Sequence, residues 1–193
     1  MAEPAAETVE LIGGGLLLRP YRGQDADVLF SAVRESIDSV GRWLPWCHAG
    51  YSQSDAEAWI THCAETWPRG EHFSFAIFDA DSSAYLGGIG LNQRNRTHNF
   101  MSLGFWVRAS RQRQGVAVRA ARLVAGFAFA TLGLTRVEVL AEIDNCASRR
   151  VAKTLGATFE TVARNRLLAR GQPIEAAVYS LIPTDAITST ALG

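Results

Sequence analysis

The chain has 193 residues, with 19 basic and 19 acidic side chains, so its formal net charge is zero. That balance excludes a strongly basic nucleic-acid binder, and a hydrophobic fraction of 48% with 20% charged residues is that of an ordinary globular domain. No stretch approaches the roughly 18 apolar residues that span a bilayer. The start, MAEPAAETVE, lacks the basic and apolar regions of a secretory signal, so a cytoplasmic, membrane-free protein is expected. Three cysteines, Cys47, Cys63 and Cys146, imply no disulfide framework. The length suits one domain, expected over residues 9–183, with loose tails at 1–8 and 184–193.

Residues 9–22 read as two apolar runs broken by Gly13-Gly14-Gly15, a bent strand or a tight hairpin. Asp25 or Asp27 is placed to cap a helix running to about Ser36. The aromatic, Pro-broken stretch from Gly41 to Gly50 reads as a loop. Ser54 and Glu57 have capping-box spacing and open a helix to about Trp67. Strands are expected at 73–78, 85–91 and 100–107. Gly115 to Leu132 has helical spacing and is closed by Gly133. Residues 137–143 alternate as a strand, which puts Val137, Val139 and Ala141 on one face and Glu138 and Glu142 on the other. A short helix from Asn145 to Leu155 ends at Gly156, and two strands, 159–169 and 175–181, flank a turn at 170–173. The order predicts an α/β (α+β) domain with a single mixed sheet flanked by helices.

The segment from Ser102 to Val124 carries the chemistry. A strand ends at Val107, a loop holds Gln112, Arg113, Gln114, Gly115, Val116 and Ala117, and a helix starts there. The first N–H groups of a helix have no intrahelical partner, and its dipole adds partial positive charge, so a pyrophosphate fits if no side chain blocks it. Arg108, Arg111, Arg113, Arg119 and Arg122 lie in or beside the segment, and no acid occurs between Asp81 and Glu138. Neither a Rossmann nor a P-loop glycine pattern is present.

Gln112-x-x-Gly115-x-Ala117 resembles the Q/R-x-x-G-x-G/A signature of the GNAT N-acetyltransferases. Leu103 to Val107 resembles the preceding strand of the RimJ/RimL-type branch, and Asn145 to Ala157 resembles that branch's N-x-x-S-x-x-V-x-x-K-x-G-F segment, with Ala157 in place of the final Phe. Trp43-Leu44-Pro45-Trp46 looks like its substrate-side loop. The resemblance implies a splayed central sheet and an acetyl-CoA cosubstrate. Phe105, Trp106 and Val107 would bond pantetheine, the amides from Gln112 to Ala117 would hold pyrophosphate, and Asn145 would contact the pantetheine arm. Ser148 would serve the leaving thiolate, and Trp43 and Trp46 would border the amine.

The acceptor implied is a primary amine, on a protein N-terminus or a small molecule, acetylated directly in a ternary complex. A homodimer is compatible with this, and no nucleic acid or metal is called for. Many relatives carry a glutamate where Ser102 and Leu167 stand here. Without them, the candidates for a base are Glu138, Glu142, His72 and His98. Cys47-His48 and His62-Cys63 have poor spacing for zinc. Trp59 and Trp67, eight apart on one helix, read as core. The alternative from another class is a non-catalytic acyl-CoA-binding or sensing module that kept the fold and lost its base.

Overall fold

The computed structural model describes residues 4–185. Its strands are β1 (Leu11–Gly13), β2 (Leu16–Pro20), β3 (Phe73–Asp79), β4 (Tyr85–Asn95), β5 (Phe100–Val107), β6 (Arg136–Glu142), β7 (Thr158–Ala169) and β8 (Gln172–Leu181). They form one sheet in the order β1-β2-β3-β4-β5-β6-β8-β7. Every neighbouring pair is antiparallel except β5 and β6, which run parallel. The helices are α1 (Ala26–Glu35), α2 (Ile37–Val40), α3 (Gln53–Thr66), α4 (Val116–Ala130) and α5 (Cys146–Leu155).

Alternation along β3 separates two cores. Phe73, Phe75 and Ile77 pack with Val116, Ala120 and Val124 of α4 and Leu155 of α5. Ala76 and Phe78 pack on the opposite face with Leu29 and Val33 of α1 and Ala56 and Ile60 of α3. The sheet is therefore a mixed layer covered by helices on both sides, the architecture expected from the element order.

Local chemistry explains most boundaries. Asn145 caps α5 by accepting the Ser148 N–H at 3.0 Å, and Gly156 ends that helix with φ 91°. Two helix caps differ from the sequence reading. The cap of α3 is Ser52 with Asp55, two residues before the expected pair: the Ser52 hydroxyl accepts from the Asp55 N–H and the Asp55 carboxylate accepts from the Ser52 N–H at 2.8 Å. Asp25 precedes α1, but its carboxylate accepts from the buried Arg19 guanidinium at 2.7 Å and from the Arg22 N–H at 2.8 Å, not from the helix.

β4 runs on to Asn95, beyond the expected turn at 92, because Asn92 and Asn95 still pair with β5. Residues 4–8 are anchored where a loose tail was expected: Ala6–Thr8 forms a 3-10 turn, and the Trp67 indole N–H donates to the Pro4 carbonyl at 2.9 Å. The expected tail at 186–193 lies outside the described residues.

Candidate active site

β5 and β6 pair only at their first residues, Phe100 with Arg136, Met101 with Val137 and Ser102 with Glu138. Beyond that point the strands part, and Leu103–Val107 and Val139–Glu142 face each other across a V without pairing. On its other side each strand stays fully paired, β5 with β4 and β6 with β8. The V thus exposes two rows of backbone N–H and C=O groups, which need partners when they leave water. Because the strands are parallel, both end at the open side of the V, and α4 and α5 begin there.

The loop into α4 carries two residues with left-handed backbone. Arg113 has φ 62° and Gly115 φ 73°, left-handed conformations that turn successive N–H groups to one side. A Cβ at 115 would meet nothing within 4 Å, so the glycine serves its φ and leaves open space above the helix terminus. Of the five arginines, three have protein partners. Arg108 pairs with Glu35, Arg119 donates to the carbonyls of Gly14 and Gln114, and Arg122 donates to the Thr154 carbonyl at 3.5 Å. The solvent-facing charge narrows to Arg111 and Arg113, both exposed and without a hydrogen-bond partner among the described residues.

The loop is braced from α1 and α2. Glu35 accepts from the Arg108 guanidinium and from the Ser110 N–H at 2.6 Å, and these partners lower its pKa to about 2. Ser36 Oγ accepts from the Ala109 N–H at 3.0 Å. The Gln112 side chain donates to Ser39 Oγ at 3.1 Å and to the Val107 carbonyl at 3.0 Å, and its N–H donates to the Ala109 carbonyl at 3.3 Å, so Gln112 fixes the loop and its own amide is already used. Glu35 is a bracing residue that the sequence did not disclose, because it lies 73 positions from Arg108.

Glu35→Gln is expected to raise the KM for acetyl-CoA about fivefold, since loosening the loop forfeits about 1 kcal/mol of preorganisation. A steady-state titration with acetyl-CoA checks it. Since the folded-state pKa of Glu35 lies below its ordinary value, the brace is intact above about pH 4.5 and is lost as pH falls towards about 2.

A second space lies on the α1/α3 face. Its volume is about 620 Å³, within the ordinary range of small-ligand sites. Glycines carve it. Ser74, Gly90 and Gly104 are register neighbours across β3, β4 and β5, and so are Ala76, Gly88 and Trp106. Gly88 has no room for a side chain, because a Cβ would lie 2.4 Å from the Tyr21 hydroxyl and 2.8 Å from the Trp106 indole nitrogen. Gly104–Trp106 lines this cavity and also belongs to the unpaired stretch of β5. The V and the cavity thus share one strand segment.

The predicted site residues fall unevenly. Phe105 and Trp106 border both spaces. Val107 ends β5 at the mouth of the V, and Asn145 and Ser148 stand in the first turn of α5, with Ser148 half-buried. Trp46 lines the cavity, but Trp43 does not: its ring lies under the Arg42 guanidinium, 4.7 Å away. Trp59, assigned to the core from its spacing, lines the cavity, whereas Trp67 is core, packed on Phe73, Phe75 and Phe127.

Glu138 sits at the foot of the V with its carboxylate held by Arg136 at 3.0 Å and Arg166 at 3.3 Å. Glu142 ends β6 with no side-chain partner among the described residues. His98 lies before β5, at the closed end of the V. His72 lines the cavity beside His62 and Trp59, with ring centroids 5.7 and 5.4 Å away. Burial pushes its pKa down to about 4, so its imidazole is neutral at pH 7. Ser102 is buried at the foot of the V, and Leu167 lies on the β7–β8 hairpin. Among the described residues no group of three or more His, Cys, Asp or Glu side chains gathers as metal ligands. No helix among them is long and apolar enough to cross a membrane.

A mixed sheet that splays after three residue pairs, with a left-handed loop at the start of the helix following the splayed strand, defines an acyltransferase fold. Residues 15–158 match the GNAT acetyltransferase domain, and the chain belongs to that family. It is 31% identical to a solved structure of a candidate ribosomal-protein-serine acetyltransferase from Vibrio cholerae, over 93% of this chain and 100% of that one, with a TM-score of 0.83. The uncharacterized N-acetyltransferase YoaA of Bacillus subtilis is 27% identical over 167 residues, 86% of this chain and 93% of that protein. At 20% identity, the structure of RimL, a ribosomal L7/L12 α-N-protein acetyltransferase in complex with coenzyme A, shares the fold, with a TM-score of 0.81 over 90% of this chain and 98% of that one.

Proposed function

We propose that this acetyltransferase takes acetyl-CoA in the V between β5 and β6 and passes its acetyl group directly to a primary amine held in the glycine-carved cavity. The observation that carries the reading is the sharing of Gly104–Trp106 by the unpaired edge of β5 and the wall of the cavity. An acyl donor paired with that edge and an amine in that cavity lie on the same three residues, so no covalent enzyme intermediate is needed.

The residues fit such a donor. The open edges of β5 and β6 match the amide groups of a pantetheine arm, bonding it as an added strand. Of the segment from Gln112 to Ala117, the amides from Arg113 onward, with the Arg111 and Arg113 side chains beside them, suit pyrophosphate, and Gln112, its N–H bonded to the Ala109 carbonyl, holds the loop in shape. Acetyl-CoA supplies the acetyl group as a thioester, and transfer to nitrogen releases the free thiol. Around it, a β5 amide near Val107 polarises the carbonyl oxygen. The Ser148 hydroxyl, which has no partner among the described residues, stabilises the departing sulfur. Asn145 is occupied by the α5 cap and holds that turn in place.

Deprotonation of the amine is left to water. Glu138 is held by two guanidiniums, Glu142 and His98 do not line the cavity, the Asp55 carboxylate closes the α3 cap, and His72 is too weakly basic to keep a proton at neutral pH. An α-amine has a pKa of about 7.7–8.0 against about 10.4 for lysine, a gap of roughly 3.4 kcal/mol in deprotonation cost. A short peptide with only its α-amine free is therefore expected to react at least ~10-fold faster at pH 7 than its N-blocked lysine counterpart, a conservative share of that gap. Thiol release across pH 6.5–9 measures this. Faster lysine acetylation at pH 7 would overturn the water-mediated step. Tight acetyl-CoA binding with no thiol release on any amine would instead favour the sensing module.

A further inference from the structure

The cavity is lined by an unusual choice of side chains. Trp46, Tyr51, Trp59 and Trp106 form its aromatic walls, and they meet one another at angles: Trp46 and Trp106 are edge-on at 5.5 Å, and Trp46 and Tyr51 are tilted at 6.4 Å. Among the described residues no arginine or lysine lines it, and its one carboxylate is Asp55, on the exposed first turn of α3. The imidazole of His72 adds a flat, uncharged surface. Gly88, Gly90 and Gly104 also line it, with Tyr21 and Trp106 packed close over Gly88.

One polar group is left over. The Ser74 hydroxyl, on a residue 3% exposed, is the only buried side-chain polar atom among the described residues without a hydrogen-bond partner. It lines the cavity beside Gly90, 3.3 Å from where a Cβ of that residue would lie. The neighbouring Cys63 thiol is near enough to interact but does not reach hydrogen-bond geometry, and burial pushes that thiol up to about 12. A buried hydroxyl with no partner costs free energy unless something fills the need.

We infer that the acceptor is a primary amine carried on a flat aromatic body with no anionic group, the ring seated among Trp46, Trp59 and Trp106 beside the glycines. This deepens the acetyl-transfer reading and rests on it for the identity of the site. Aromatic rings attract one another at angled contacts of the spacing found here, and the glycines give a ring the depth that side chains would remove. A carboxylate or phosphate on the body would find no arginine or lysine to pair with, only the imidazoles of His48 and His62, and would share the cavity with the Asp55 carboxylate, which disfavours anionic amines.

The test uses the full chain saturated with coenzyme A or acetyl-CoA and four probes: tryptophanamide, phenylalaninamide, alaninamide and free phenylalanine. Binding to the coenzyme A complex is read by calorimetry, and turnover by thiol release. Tryptophanamide and phenylalaninamide are expected to bind and react at least ~10-fold better than alaninamide, and phenylalanine at least ~10-fold worse than its amide, the size of one moderate pocket contact. Trp46→Ala, a change at an exposed position, is expected to reduce the aromatic preference to less than threefold while the protein stays folded by circular dichroism. Equal use of alaninamide, or equal use of free phenylalanine, overturns the inference and leaves acetyl transfer standing. Preferential binding of the aromatic amides without thiol release supports the pocket and overturns acetyl transfer. No binding of any probe together with no thiol release overturns both.

Discussion

Gly115→Asp is expected to weaken acetyl-CoA binding at least ~100-fold while leaving the protein folded. Gly115 holds φ 73° at the entry to α4, with nothing within 4 Å of the place a Cβ would take. The new side chain therefore projects into the space where the first-turn amides would receive phosphate. A carboxylate at ~4–5 Å from one phosphate charge costs about 3 kcal/mol at an effective dielectric near 20, which is roughly two orders of magnitude in affinity. The left-handed backbone adds about 1 kcal/mol of strain, less for Asp than for most residues. Because the residue touches no core side chain, the melting temperature of the ligand-free protein should fall by only a few degrees. Calorimetric titration gives the result, and unchanged affinity in a folded variant would remove the phosphate from this loop.

Ser148→Ala is expected to cut kcat about 10²–10³-fold with little change in the KM for acetyl-CoA, since a group serving the leaving sulfur acts mainly in the transition state. Ser148 occupies the third position of α5, where its N–H is already satisfied by Asn145 and its hydroxyl is not required by the helix. Loss of the hydroxyl therefore leaves the cap intact. The diagnostic is the split between the two constants. A loss confined to KM would make Ser148 a binding residue, and turnover within a factor of about two would make it a structural one.

What could be read from the sequence was what is local in the chain. The strand, loop and helix around Gly115, and the segment from Asn145 to Gly156, carry their signals within a few residues of each other, and the structure folds both as those signals require. The alternation of Val137, Val139 and Ala141 likewise predicted which face of β6 is buried. The cavity is different. Gly90 and Gly104 lie 14 positions apart, and Ser74 lies 16 before Gly90; only the register of β3, β4 and β5 makes them one row. Helical spacing sent both Trp59 and Trp67 to the core, yet α3 leaves its body at Thr66, and Trp67 alone turns into the cluster of Phe73, Phe75 and Phe127. Trp43 and Trp46, three apart in a turn, separate because Arg42 covers Trp43. The brace from Glu35 to Arg108 and Ser110 has no local signature at all.

β5 and β6 share three residue pairs although they are eight and seven residues long, whereas on their other sides β5 pairs with β4 and β6 with β8 along most of their length. The chain is in effect two sub-sheets, β1 to β5 and β6-β8-β7, clasped mainly by α4 and α5 packed across one face. A ligand that pairs with both open edges is then a structural cross-tie as well as a substrate. By mass action, a donor present at 100 times its Kd adds about 2.7 kcal/mol to the stability of the whole protein, and geometrically that gain is concentrated where the two halves meet. On the proposed placement of the donor, its binding would brace the seam between the two sub-sheets, and departure of the spent thiol would remove that brace.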